Sequence, residues 1–395
     1  MIAFTAKVLY TPVEKINRPL IFVEDGHVVS VSAADNAELP RNVKVTDFGD
    51  CVLAPGLVDI HIHGAAGHDL MQADESQQQQ VEFFLADHGV TAYYPTTVTA
   101  PLDVIQSALE RLADAVESSR DDGAGRAQPL GIHLEGPFLS HVRRGVHPPE
   151  NLLPPSISTF DKFWQASRGH IRLMTVAPEL PGAQELIAEA ARRGICVSVG
   201  HSNADLNATR KAVFSGARHA THTFNAMRPL DHREPGIIGE ILTNQQLTAD
   251  VIADGVHVDP AIVKLLLRAK GPEGAVLITD ATSATGMPDG RYWLGSLEME
   301  VKDGKCLFNG RLAGSVLTMD KAVRNVMNFA GWDLQQSLRL ATLNPAKVGG
   351  AQKKGIVAPG ADADLVVLTP DGEVRATIVK GAVIHELSGG QRNAR

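Results

Sequence analysis

Two histidines separated by one isoleucine, His61 and His63, stand in the run Pro55 to Gly64, PGLVDIHIHG. The apolar residues around them, Leu57, Val58, Ile60 and Ile62, read as a buried strand, and side chains at i and i+2 of a strand share a face. Both imidazoles therefore leave the strand end in one direction, where they suit zinc, iron or a similar divalent ion. Alone, such a pair serves equally well as a polar strand end bonded to backbone. The other candidate ligands tip the reading: Glu135 at the end of GIHLEG, His201 at the end of VSVGH, His222 in HATHTF and Asp280 at the end of VLITD. Four imidazoles and a carboxylate are enough for one or two divalent ions, with Glu135 able to bridge through its two oxygens. Such an ion activates water at neutral pH, which leaves Asp280 to take a proton from the water and pass it to a departing nitrogen. No GxSxG elbow, Walker A loop or GxGxxG competes with this chemistry.

Residues so far apart in sequence meet only if the fold brings them to one rim. From about residue 56 to 350, short apolar runs alternate with helical stretches, the pattern of βα units on a parallel sheet. The expected strands are Leu57 to His63, Thr91 to Val98, Leu130 to Gly136, Ile171 to Ala177, Cys196 to His201, His219 to Phe224, Leu247 to Ala253 and Ala275 to Thr279. Eight of them select a closed (β/α)8 TIM-type barrel, whose functional groups sit at the C-terminal strand ends. Each of the six candidate residues lies at or near such an end. Arg291 to Leu312 turns β again around Asp303-Gly304 and reads as an inserted hairpin. Helices are expected over Asp320 to Phe329 and Leu334 to Leu340, and Gln77 to Gln80 reads as a solvated helix face.

Both chain ends have β texture. Lys7 to Tyr10, Pro19 to Glu24, His27 to Val31 and Val43 to Phe48 surround an Asp25-Gly26 hairpin turn, and Asp364 to Leu368, Glu373 to Val379 and Ala382 to His385 surround Asp371-Gly372 and Lys380-Gly381. The economical arrangement is a small β-sandwich built from residues 1–54 and 351–395, with the catalytic barrel of 55–350 inserted between them.

The 395 residues carry a net charge of -8 and 44% hydrophobic residues. No stretch reaches the roughly 18 consecutive apolar residues of a membrane span, and the acidic balance disfavours nucleic acid, which requires a basic face. Any anionic substrate needs a local cluster of positive groups. Three scattered cysteines, Cys51, Cys196 and Cys306, make no CxxC, and MIAFTAKVLY lacks the features of a signal peptide, so a reducing cytoplasm is expected.

The PGLVDIHIHG segment, the eight βα units and Asp280 resemble the amidohydrolase superfamily. Within it, GIHLEGPFL, RRGVHPPE, SVGHSNAD, HATHTFNAM, REPGIIG, IADGVHVD, LITDAT and LAGSVLTMD, in that order, resemble the N-acetylglucosamine-6-phosphate deacetylase family. The resemblance implies metal-dependent hydrolysis of N-acetyl-D-glucosamine 6-phosphate to D-glucosamine 6-phosphate and acetate, in amino-sugar catabolism. It implies a principal metal site of Glu135, His201 and His222, a second at His61 and His63, and Asp280 as catalytic acid/base that also touches metal. His147 and His257 match residues at the sugar and reacting carbonyl, with His147 stabilising the oxyanion. Asn225 and Ala226 match a phosphate-contacting turn, Leu312, Ala313 and Gly314 a sugar-lining segment, and Arg233 an arginine reaching the phosphate of a neighbouring subunit, which implies a homodimer. The galacto epimer, another amidohydrolase reaction and a metal-free scaffold stand as the alternatives. His133 shares a strand face with Glu135 and reads as an outer support of the metal site; His68, His88, His141, His170 and His232 read as surface or structural.

Overall fold

The computed structural model describes residues 1–33, 43–121 and 125–386; of the two terminal ranges above, 34–42 and 387–395 lie outside them. Eight parallel strands form the centre: β1 (Leu57–Ile62), β2 (Val90–Pro95), β3 (Ile132–Glu135), β4 (Ile171–Val176), β5 (Cys196–Val199), β6 (His219–Ala220), β7 (Thr248–Ile252) and β8 (Ala275–Ile278). β1 pairs with β2, and β3 to β8 form one continuous parallel run. Parallel bridges Thr96–His133 and Ile62–Ala281 join the two sheets at both seams, giving a TIM-barrel-type fold. The strands are buried along nearly all their length, with only Arg172, Cys196 and Thr248 partly open, as sequences with helices outside and side-chain layers inside must be.

Local sequence explains the helices that brace the barrel. Asp74 accepts from the Gln77 backbone while the Gln77 side chain returns to Asp74, a reciprocal cap that starts the helix Glu75–Asp87. Gln78 on that helix is not solvated: it is buried and donates to Glu82 and to the Tyr93 hydroxyl. Met319–Ala330 and Leu334–Arg339 follow β8 near the expected positions.

Segment 290–312 departs from a single hairpin. It forms four antiparallel strands, Gly290–Leu294, Leu297–Lys302, Lys305–Phe308 and Arg311–Leu312. Besides Asp303-Gly304, the pair Asn309-Gly310 also turns through positive φ values of 51° and 75°, the signature of a tight two-residue hairpin turn.

The chain ends share a sheet. Val52–Pro55 lies between Val8–Tyr10 and Leu365–Leu368 in a six-stranded sheet of order Ala382–Glu386, Val374–Val379, Leu365–Leu368, Val52–Pro55, Val8–Tyr10, Lys15–Asn17. A second, four-stranded sheet holds Ile2–Thr5, Pro19–Glu24, His27–Ala33 and Lys44–Asp47. Phe4, Ile21 and Val23 of the latter share one apolar cluster with Leu9, Leu53, Leu365, Val367 and Ile378 of the former. No helix among the described residues is long and apolar enough to cross a membrane.

A buried lysine ties this region to the barrel. Lys354 Nζ lies 2.5 Å from Asp364 and 2.9 Å from Asp362, and donates at 2.9 Å to Gln128 beside β2. Burial opposes its charge, yet the two carboxylates outweigh that effect and raise its pKa. Lys354→Met leaves the buried Asp364 carboxylate without its cation, so it should destabilise the protein by about 3–5 kcal/mol. Urea unfolding checks this; a loss below about 1 kcal/mol would mean that the ion pair holds nothing together.

Candidate active site

His61 is the fifth residue of β1 and His63 follows its end, so the two rings leave one face. Gly64 lets the chain turn immediately: a Cβ there would meet the His68 carbonyl oxygen at 2.3 Å. Glu135 ends β3, and His201, His222 and Asp280 each lie two residues beyond β5, β6 and β8. These last three adopt positive φ values of 46°, 30° and 49°, a region that non-glycine residues enter at a cost. All six side chains converge and are buried.

Glu135 is the hub. Its Oε1 lies 3.2 Å from His201 Nε2 and 3.1 Å from His222 Nε2, which are 2.9 Å from each other. Its Oε2 lies 3.3 Å from His61 Nε2 and 3.4 Å from His63 Nε2, themselves 3.2 Å apart. Asp280 Oδ1 completes the second group, 3.4 Å from His61 and 3.1 Å from His63. Donor atoms at roughly 2.0–2.1 Å around a tetrahedral ion stand about 3.3 Å apart, so both groups match the spacing of a divalent cation's ligands. Ring orientation agrees: His63 Nδ1 donates to the Thr96 carbonyl and His201 Nδ1 to that of Arg143, which turns each Nε2 lone pair inward.

The charges are mutually dependent. Burial alone would raise the Glu135 carboxyl, but His61, His201 and His222 hold it well below the usual carboxylate range. Asp280 behaves likewise: burial opposes its charge, and His61 and His63 bring its pKa down to about 2. Burial would lower His63 and His222, yet Asp280 and Glu135 lift the first to about 10, and Glu135 foremost lifts the second to about 9. A dication would compensate the same two carboxylates.

His147 stands apart in role. Its Nδ1 accepts from the Thr99 backbone N–H at 3.2 Å, which places the proton of the neutral ring on Nε2. That nitrogen is 3.8 Å from Glu135. Burial foremost, then His201, pushes the His147 pKa well below its ordinary value, so the ring is a neutral N–H donor facing the cluster.

The cluster floors a cavity of about 210 Å3. Asn225, Ala226, His257, Leu312, Ala313 and Gly314 all line it. His257 Nδ1 donates to Asp254 at 2.7 Å. Gly314 has φ 60°, and a Cβ there would meet the Asp280 carbonyl oxygen at 2.9 Å. Arg233 does not join them: it is exposed, on the loop after β6. His133 does not bond to Glu135 but stacks edgewise on His61, ring centroids 4.7 Å apart, held by Ile60 and Thr175.

Three supports escape the sequence reading. Asp59, buried under His61, accepts from the His61 backbone N–H and at 2.5 Å from Thr279 Oγ1; burial, only partly offset by these bonds, raises its pKa to about 6. Asp250 accepts from the His222 backbone and is held by His219. Arg311, on the inserted strands, lines the cavity mouth. Asp59 and Asp250 alternate with apolar residues inside predicted strands, a visible signal of inward polar groups; Arg311 carries none.

Comparison with known proteins places this geometry. The amidohydrolase family profile matches residues 52–384. A bovine N-acetylglucosamine-6-phosphate deacetylase is 42% identical over 356 residues, covering 86% of this chain and 85% of the relative. The enzyme of that name from Bacillus subtilis is 37% identical over 377 residues, 95% of each chain. Among solved structures, a mutant N-acetyl-D-glucosamine-6-phosphate deacetylase from Mycobacterium smegmatis, in complex with N-acetyl-D-glucosamine 6-phosphate, superposes with a TM-score of 0.90 at 34% identity, covering 97% of this chain and 99% of that one. With a profile match from the strand before His61 to the last described strand, and relatives alike over nearly their whole length, the chain belongs to the amidohydrolase family, in its N-acetylglucosamine-6-phosphate deacetylase branch.

Proposed function

We propose that this chain hydrolyses N-acetyl-D-glucosamine 6-phosphate to D-glucosamine 6-phosphate and acetate, in the catabolism of amino sugars. The observation that carries this reading is the meeting of Glu135, His201, His222, His61, His63 and Asp280 in two ligand groups joined through the Glu135 carboxylate, on the floor of a cavity of about 210 Å3. Glu135, His201 and His222 would hold one divalent ion, zinc, iron or similar, and His61, His63 and Asp280 have the spacing for a second. Bound there, such an ion supplies Lewis acidity and makes water nucleophilic near pH 7.

The chain's own groups do the rest. The Asp280 carboxylate takes the proton of the attacking water as the C–O bond forms. His147 donates its Nε2 proton in a hydrogen bond to the acetamide oxygen as negative charge develops there, and retains it. Asp280 then gives its proton to the nitrogen, the C–N bond breaks, and the amine leaves with acetic acid, which ionises to acetate by losing the water's second proton to solvent. His257 and the Leu312–Gly314 backbone hold the sugar, and the Asn225 amide with the Ala226 N–H donates to the phosphate.

We read the two terminal sheets as a small β-sandwich, with boundaries near 54 and 351, and the active unit as a cytoplasmic homodimer. Arg233, exposed and outside its own cavity, is free to reach the neighbouring subunit's phosphate, where a guanidinium fork fits bidentately.

Turnover of N-acetyl-D-glucosamine 6-phosphate should be lost after chelation and restored by a divalent ion, and should exceed that of the galacto epimer and of the unphosphorylated sugar. Equal rates on all three would defeat the proposed specificity. Asp280→Asn should lower kcat by roughly 10²–10⁴-fold while substrate affinity is retained; near-wild-type kcat would remove Asp280 from proton transfer. Mixing inactive Arg233→Ala and Asp280→Asn subunits should restore roughly a quarter of wild-type turnover, because half the random dimers then hold one complete site. No recovery on confirmed subunit exchange would show that Arg233 does not act across an interface.

A further inference from the structure

The chain carries net charge -8, and two carboxylates, Glu135 and Asp280, sit on the floor of the cavity. The imidazoles beside them, or the ion they would hold, offset those charges but stand at the floor, so a phosphate monoester lodged toward the mouth needs a cation of its own there. Arg233 does not supply it within one subunit, since it lies outside the cavity lining. Among the described lining residues the only lysine or arginine is Arg311.

Arg311 has the properties such a contact requires. Its backbone is fixed: it pairs with Phe308 across the tight Asn309-Gly310 turn, and it leads directly into the Leu312–Gly314 segment of the cavity wall. Its side chain is uncommitted, with no ion pair or side-chain hydrogen bond among the described residues, whereas Arg291 on the same inserted sheet pairs with Glu298 at 3.7 Å. Depth sorts the groups as well. Glu135 and Asp280 are 2% and 8% exposed on the floor, while Arg311 is exposed at the rim, where Asn225 and Ala226 are also partly open. A substrate with its acetamide on C2 and its phosphate on C6 carries the two groups at opposite ends, so the anion faces outward when the amide faces the floor.

We infer that Arg311 is a specificity-determining residue that binds the substrate's phosphate from within the same subunit, complementing donors at Asn225 and Ala226. This rests on the deacetylase reading above. A guanidinium paired with a phosphate forms charge-assisted hydrogen bonds, which a neutral amide of similar length replaces poorly.

The test is steady-state kinetics of the full-length, metal-loaded enzyme and its Arg311→Gln and Arg311→Lys variants, on phosphorylated and unphosphorylated N-acetylglucosamine. Arg311→Gln should raise KM for the phosphorylated sugar roughly 10- to 100-fold with kcat nearly kept. The ratio of kcat/KM between the two sugars should fall by a similar factor, and Arg311→Lys should recover part of it. Equal losses on both sugars, or no change in KM, would overturn the inference. Should the wild-type enzyme hydrolyse neither sugar, the deacetylase reading fails by itself; calorimetry with D-glucosamine 6-phosphate then decides on Arg311, weaker binding by Arg311→Gln supporting the role and equal binding refuting it.

Discussion

A single buried carboxylate sets the terms for the rest of the molecule. Glu135 is shared between two pairs of imidazoles, each oxygen within 3.4 Å of two ring nitrogens. An anion so deep is tolerable only with compensating charge close by, since the desolvation penalty is several kcal/mol per ion. The four rings must therefore be held to a few tenths of an ångström, although they come from three strands other than that of Glu135. A closed barrel answers that demand, because every strand end is fixed by two neighbours and none is a free edge.

The precision has a local cost. His201, His222 and Asp280 occupy left-handed backbone conformations worth roughly 1–3 kcal/mol each. The positive φ turns the chain sharply as it leaves the strand, directing each side chain back over the barrel mouth rather than outward. Surrounding bonds keep it there. The His201 carbonyl accepts from Ser140, the His222 N–H donates to Asp250, and Asp280 is held on one side by the His61 carbonyl and on the other by the Ser315 N–H. Asp250 and Asp59 thus position ligands they do not accompany into the cavity.

Much of this is readable from the chain because metal chemistry restricts residue types and barrels restrict where they lie. The eight barrel strands overlap the expected segments, and the six convergent residues are those the strand ends nominate. Ile2–Thr5, Lys15–Asn17 and Val52–Pro55 were not legible. The first two are short, and Val52–Pro55 runs almost directly into the PGLVD strand, hiding a change of sheet inside one apolar stretch. The inserted segment looks like one hairpin because Asp303-Gly304 is the more familiar turn, while Asn309-Gly310 bounds a strand of only two residues. Gln78 escapes because a polar side chain facing a buried glutamate and tyrosine is indistinguishable in sequence from one facing water. Arg311 escapes for a related reason: a lone arginine in a polar strand acquires meaning only from the cavity beside it.

The interleaved terminal sheet bears on how the protein is made. Val52–Pro55, which feeds straight into the histidine-bearing strand, takes one flanking partner from the first dozen residues and the other from Leu365–Leu368. On a ribosome, where the chain emerges amino end first at about 5–20 residues per second, that partner arrives only after the whole barrel sequence has been synthesised. The nascent polypeptide must wait, with an unpaired hydrophobic edge beside its future catalytic centre, until translation is nearly finished. Premature termination anywhere before Leu365 leaves that edge without its second partner strand.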